Sequence, residues 1–307
     1  MHPAASIIIF TTLSGTGFGL IGFAGLGVFD ADRSTILIAS LTALGLAVAG
    51  LLSSTLHLGH PERAWRALSQ WRSSWLSREG VLALVTLAAY TVYAGLWYVT
   101  GFRASMAGYG VAVLAAITVV ATAMIYASLK TVPRWHTVLT PICYLLFAAA
   151  GGGLLATLIN TLIGTFDQNL ATGALILLVL AWAAKSAWWA RASRTGLATG
   201  GSTPETATGL GAIGKVRLLE APHTSQNYLM KEMVHRIGRK HAQTLRMIAL
   251  ILGGALPGVL VLVAIAASGG WMLLAAATVS HFIGVLAERW LFFAEAEHAV
   301  SLYYGHR

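Results

Sequence analysis

Eight apolar runs, each about 20 residues or longer, constrain this chain more than any other feature, because a polar backbone crosses a bilayer of roughly 30 Å only with its hydrogen bonds closed. They fall near residues 4–29, 34–58, 81–100, 107–129, 138–163, 171–190, 246–268 and 272–294. The runs are too long for strands and lack alternation, so the expected fold is all-α: a polytopic membrane protein with eight transmembrane helices, 1–307 forming one integral membrane domain. With 57% hydrophobic and only 10% charged residues, little polar sequence is left for a soluble catalytic domain. The first run lacks a basic n-region and an A-x-A-like cleavage site, and it is longer than a signal-peptide core, so it is expected to be retained as a helix.

The net charge of +9 is unevenly placed. With the N-terminus on one side and eight crossings, that side receives Arg63, Arg66, Arg72, Arg78, Lys130, Arg134 and the basic residues of the long 191–245 connection, whereas the other receives only Arg33 and Arg103. Cytoplasmic loops carry the excess of Lys and Arg, so this side, with both termini, is expected to be cytoplasmic. Nucleic-acid binding is a poor reading of the charge without a soluble domain to carry it. Within the connection, residues 195–214 are rich in Gly, Thr and Ala and read as a flexible linker. Residues 217–246 end in a helical pattern, with Leu229, Met233 and Ile237 on one stripe and Arg236 and Lys240 away from it. Such a helix suits either an anionic lipid surface or docking of a protein partner. Gly15, Gly19, Gly22 and Gly25 recur at three- or four-residue spacing, which permits close helix approach.

Chemistry concentrates at residues 57–80, HLGHPERAWRALSQWRSSWLSREG, where two histidines, two glutamates, four arginines and three tryptophans stand between two apolar runs. Polar groups at that depth are costly to desolvate, so this stretch reads as a site for protons, anions or a polar headgroup, the plain alternative being a basic loop that sets topology. Pro61 suits the first turn of a short interfacial helix that ends near Trp71. Arg78 and Glu79 then return to the depth of His57, and a histidine and a carboxylate meeting at one membrane mouth can relay protons. That set suits a quinone, which needs hydrogen-bond partners for its carbonyl oxygens and an apolar wall for its tail. Trp65, Trp71 and Trp75 are either walls of such a pocket or plain interfacial anchors, and Tyr126, Lys130, Arg134, Trp135 and His136 reach the same side.

The single cysteine, Cys143, lies in an apolar run, which excludes an internal disulfide and any cysteine-held iron–sulfur cluster or zinc site; no metal site is expected, and any cluster belongs to a partner. Haem is a weaker fit than quinone, since His281 is the central histidine of the eighth run and no second central histidine faces it. A stand-alone transporter is the reading from another class. Against it, charged residues look nearly absent from span centres, with the strongest polar cluster at one mouth.

Four segments carry a family likeness: HLGHPERAWRAL with SSWLSREG at 57–80, MIYASLKTVPRWHT at 124–137, PHTSQNYLMKEMVHRIGRKHAQTLR at 222–246 and ERWLFFAEAEHAVSLYYG at 288–305. Across nearly its whole length the chain resembles the membrane anchor subunit of the DMSO reductase family, and more particularly the anchors of sulfite dehydrogenases whose catalytic subunits face the cytoplasm. The resemblance implies an eight-helix anchor in a bacterial inner membrane, partnered by an iron–sulfur electron-transfer subunit and a molybdopterin catalytic subunit. It implies no haem. It also implies a quinone, ubiquinone or menaquinone, bound near His57 and Glu79 as the proton-handling pair. From their place in the sequence, Arg63, Trp75, Arg78 and Tyr126 are the expected lining of that pocket. The anchor would supply the quinone site of a sulfite:quinone oxidoreductase without catalysing the substrate half-reaction. The other branch of the family, menaquinol-oxidising reductases, places its partners on the periplasmic side.

Overall fold

The computed structural model describes the chain except residues 1–3, 30–31, 57, 59, 199, 218, 221–240 and 305–307. Eight long helices are long and apolar enough to cross a membrane: α1 Ala5–Leu26, α2 Arg33–Thr55, α3 Trp75–Thr100, α4 Ser105–Ala127, α5 Leu139–Leu162, α6 Gln168–Ala192, α7 Ala242–Ala266 and α8 Trp271–Ala294. No strand forms among the described residues. His57 and the stripe Leu229, Met233 and Ile237 lie outside the described residues. Of the 191–245 connection, the described part includes one short helix, Pro204–Thr208, closed by a reciprocal Thr203–Thr206 capping box.

Helices α1 and α5 form the centre. α1 packs on α2, α4 and α5, while α5 also carries α6 and α8. Small residues allow this approach: a Cβ on Gly19 would overlap the backbone of Ala148, and one on Gly25 would overlap that of Gly108. Gly15 and Gly22 behave otherwise, with nothing within 4 Å of where a Cβ would stand. The glycine stripe therefore does two jobs, close contact at two positions and open space at the other two.

Polar residues fix the helix ends at the face opposite the termini. Asp32 caps α2 by accepting from the backbone amides of Ser34 and Thr35, and Asp167 does the same for α6 with Asn169 and Leu170. α1 ends at Gly27 with φ of 80°, and Arg103 donates to the freed carbonyls of Gly25 at 3.3 Å and Leu26 at 3.0 Å. Arg33 donates to the Val99 carbonyl at 3.4 Å. Both arginines of this face thus serve chain ends.

Helix α3 begins at Trp75, not near residue 81 as the apolar run suggests. The polar stretch SWLSREG folds as its first turns because Ser77 and Glu79 turn inward, at 2% and 5% exposure, while Leu76 faces outward. Helix α7 is interrupted by a π turn at Ile251–Ala255, which frees carbonyls that other helices satisfy. Trp182 Nε1 and His281 Nδ1 donate to the Gly253 carbonyl at 2.8 and 2.7 Å, and the Ser280 hydroxyl donates to Leu252 at 2.6 Å.

Candidate functional site

A ten-residue 3₁₀ helix, Pro61–Gln70, follows α2 and lies against the start of α3. The Ser77 hydroxyl donates to the Ala67 carbonyl, and Leu68 sits so close to Gly80 that a Cβ there would come within 2.8 Å of its methyl group. Arg78 reaches back to donate to the carbonyls of Trp71 at 3.0 Å and Arg72 at 2.7 Å, with its guanidinium 4.5 Å above the half-buried Trp75 ring. Arg78 therefore closes the turn into α3. Arg63 is exposed on the 3₁₀ helix, 3.7 Å from Glu62, which also meets His60 at 3.0 Å.

Glu79 is buried one turn inside α3, alongside Thr122 of α4. One turn further along α4, Tyr126 lies within electrostatic reach of both Glu79 and Arg289. Glu79 Oε1 has no hydrogen-bond partner among the described residues. The Tyr126 ring is held by an aromatic cluster, with Trp135, Tyr144, Phe292 and Phe293 at centroid distances of 5.3, 5.9, 5.6 and 5.3 Å. Trp135 stacks on Phe292 and donates to its carbonyl at 2.9 Å. Arg134 donates to the carbonyls of Thr195 and Glu295 at 3.1 and 2.8 Å, and His136 Nδ1 bonds the Ala127 carbonyl at 2.6 Å. The 128–138 loop is thus a clasp over the ends of α6 and α8, and Lys130 is exposed on it. The structure places Glu79 and Tyr126 within electrostatic reach of one another and puts Arg78 and Trp75 at the adjoining helix start.

Sequence reasoning missed a second cluster. Charged residues are not confined to the mouth of the bundle: Lys185 of α6 lies 2.5 Å from Glu288 of α8, and Arg289 lies 3.2 Å from the other oxygen of Glu288. Their side chains are 1%, 0% and 2% exposed. Each cation also faces a ring, Lys185 over Trp188 at 3.8 Å and Arg289 over Tyr144 at 3.7 Å, which offsets part of its desolvation. The signal was present in LAWAAKSAWWA and VLAERWLFF, opposite charges inside two apolar runs that only the fold brings into contact.

Eight apolar helices whose buried charged side chains gather toward one end define an integral membrane subunit. Residues 1–305 match the family described as DMSO reductase anchor subunit (DmsC), and the chain belongs to that family. It is 33% identical to a sulfite dehydrogenase subunit of Allochromatium vinosum over 99% of both chains. It is also 29% identical to the anaerobic dimethyl sulfoxide reductase chain YnfH of Escherichia coli, over 50% of this chain and 56% of that one. No solved structure is significantly similar. The protein is therefore a membrane anchor subunit, homologous over nearly its full length to a sulfite dehydrogenase subunit.

Proposed function

We propose that the chain is the quinone-binding anchor of a sulfite:quinone oxidoreductase, taking electrons from a partner iron–sulfur subunit and delivering them to the quinone pool. In the molybdopterin partner, sulfite would be oxidised to sulfate with water supplying the oxygen atom, which releases two electrons and two protons. On the anchor, a quinone takes up two electrons and two protons and leaves as quinol. The observation that carries this reading is Glu79, a carboxyl buried in α3 beside Thr122 and Tyr126, with one oxygen unpartnered among the described residues. Such a group can hold a proton at Oε1 and give it to a carbonyl oxygen brought next to it. The full-length similarity to a sulfite dehydrogenase subunit supports the sulfite branch.

The face carrying residues 60–80 and the 128–138 clasp is the one we assign to the cytoplasm of a bacterial inner membrane, on its share of Lys and Arg. The partner subunits dock there. His57 is the second proton-handling residue of this reading, on the grounds of its place in the sequence, two residues after the last residue of α2.

The test is Glu79→Gln in the assembled complex. Quinone-coupled turnover should fall by about 100- to 10,000-fold, the usual cost of losing a positioned acid or base. Sulfite oxidation with a soluble artificial acceptor should stay at the wild-type rate. A normal quinone-coupled rate would take Glu79 out of the reaction.

A further inference from the structure

Two cavities, one buried between helices and one opening onto the outer face of the bundle, share a wall. One is a narrow polar cleft of about 10 Å³ between α1, α4, α5 and α8, lined by Thr12, Thr16, Thr122, Tyr144 and Arg289 among others. The other is an apolar groove of about 310 Å³ between α1, α4 and α5, lined by Gly22, Phe23, Ala112, Ala116, Ala149 and Leu177 among others. Phe18, Val119 and Ala148 belong to both linings, so the polar cleft and the apolar groove adjoin at these three residues.

The cleft holds buried polar atoms that nothing satisfies. Thr12 Oγ1, the Tyr144 hydroxyl and Arg289 Nε have no hydrogen-bond partner among the described residues, although these residues are only 2%, 3% and 2% exposed. Unpaired polar atoms at such depth are costly, and a ligand that accepts their hydrogen bonds relieves the cost. Arg289 is held in place by Glu288 at 3.2 Å and by the Tyr144 ring beneath it. Thr122 joins the cleft to Glu79. The groove, for its part, is open where α1 carries Gly22 and filled where it carries Gly19.

Resting on the quinone reading above, we infer that the groove and cleft together seat the quinone: its tail lies between α1, α4 and α5, its ring against Phe18, Val119 and Ala148, and one carbonyl oxygen accepts hydrogen bonds from Tyr144 and Arg289. The chemistry matches part by part. Quinone oxygens accept and do not donate, and the two groups facing them are donors. The groove volume falls at the lower end of the range for small-molecule sites, enough for the ring and the first part of the tail. A phospholipid fits less well, because its charged head belongs at the interface and Arg289 lies more than a turn inside α8. Glu79, reached through Thr122, then stands on the cleft side of the ring as its proton source.

The test uses the complete complex with its partner subunits and compares decylubiquinone, duroquinone, which has no tail, and a soluble artificial acceptor. Gly22 lines the groove and a Cβ there meets nothing within 4 Å, so Gly22→Leu adds bulk at the groove wall. It should raise KM for decylubiquinone about tenfold, the effect of excluding about two methylenes, and leave duroquinone nearly unchanged. Tyr144→Phe removes only an unpartnered hydroxyl and should lower kcat/KM for both quinones by about five- to tenfold, the value of one hydrogen bond. Both variants should keep the wild-type rate with the soluble acceptor. If Gly22→Leu fails to assemble, Ala116→Phe fills the same groove from α4 and is read in the same way. Wild-type quinone kinetics in these variants, with Glu79→Gln still inactive, would overturn the seat, assign the groove to a lipid chain and leave the quinone reading standing. A wild-type complex that reduces neither quinone would overturn the quinone reading and the seat with it.

Discussion

Lys185 Nζ and Glu288 Oε1 meet at 2.5 Å between α6 and α8, among side chains that solvent does not reach. Arg289 shares the same carboxylate at 3.2 Å, so two cations depend on one anion and on the ring faces of Trp188 and Tyr144. Breaking a buried ion pair by removing one partner costs far more than the pair itself contributes, because an uncompensated charge is left behind.

Glu288→Gln strands both cations and should destabilise the anchor by about 3–5 kcal/mol. Lys185→Met leaves the Arg289–Glu288 pair neutral and should be the milder change. Folded-protein recovery and the unfolding midpoint in a detergent titration measure both. Equal losses would mean that Lys185 and Arg289 do not share the carboxylate in the way the distances indicate.

The orientation is open to a direct measurement. Ile213 is 84% exposed in the connection between α6 and α7, and the single cysteine, Cys143, is buried at 3% exposure. An Ile213→Cys variant should therefore react with a membrane-impermeant maleimide at one site only, in inverted vesicles and not in intact cells. Labelling of intact cells would place this face outside and favour a quinol-oxidising anchor.

His281 packs against the π turn of α7, where it and Trp182 both donate to the Gly253 carbonyl. A histidine used this way holds two helices together. His281→Phe should cost about 1–3 kcal/mol of stability, the range for losing a buried hydrogen bond and leaving its partner less satisfied. The visible absorption spectrum of the purified anchor should not change. A Soret band present in the wild type and lost in the variant would make His281 a haem ligand instead.

What the sequence reveals depends on whether the signal is local. The eight spans are legible because bilayer thickness sets a minimum apolar length that each run meets by itself. Glu79 is legible as a candidate because a carboxylate beside a span is conspicuous. Its place inside α3 is not, since a window of hydropathy averages SWLSREG as polar and cannot see that the 3₁₀ helix covers Ser77 at Ala67 while α4 covers Glu79 at Thr122. Lys185 and Glu288 each look like one isolated charge until α6 and α8 are packed together. The π turn at Ile251–Ala255 lies where α7 and α8 approach so closely that a Cβ on Gly284 would overlap the backbone of Gly253, a long-range contact with no periodicity of its own.

Tyr126 separates packing from chemistry most cleanly. Its ring sits edge-on to Trp135, Phe292 and Phe293, while the residue lies within electrostatic reach of Glu79 and Arg289. Tyr126→Phe keeps the ring and should keep assembly and stability, whereas Tyr126→Ala empties the cluster and should cost up to roughly 3–5 kcal/mol, as truncation of a large aromatic does in a packed core. If the hydroxyl helps Glu79 manage the quinone's protons, Tyr126→Phe should lower quinone-coupled turnover by about 10-fold or more with an unchanged rate on a soluble acceptor, in line with loss of a charge-assisted hydrogen bond. Measuring the two variants side by side in the assembled complex gives the answer. Full quinone turnover in Tyr126→Phe, with loss of stability only in Tyr126→Ala, would confine this residue to holding the 128–138 clasp against α8.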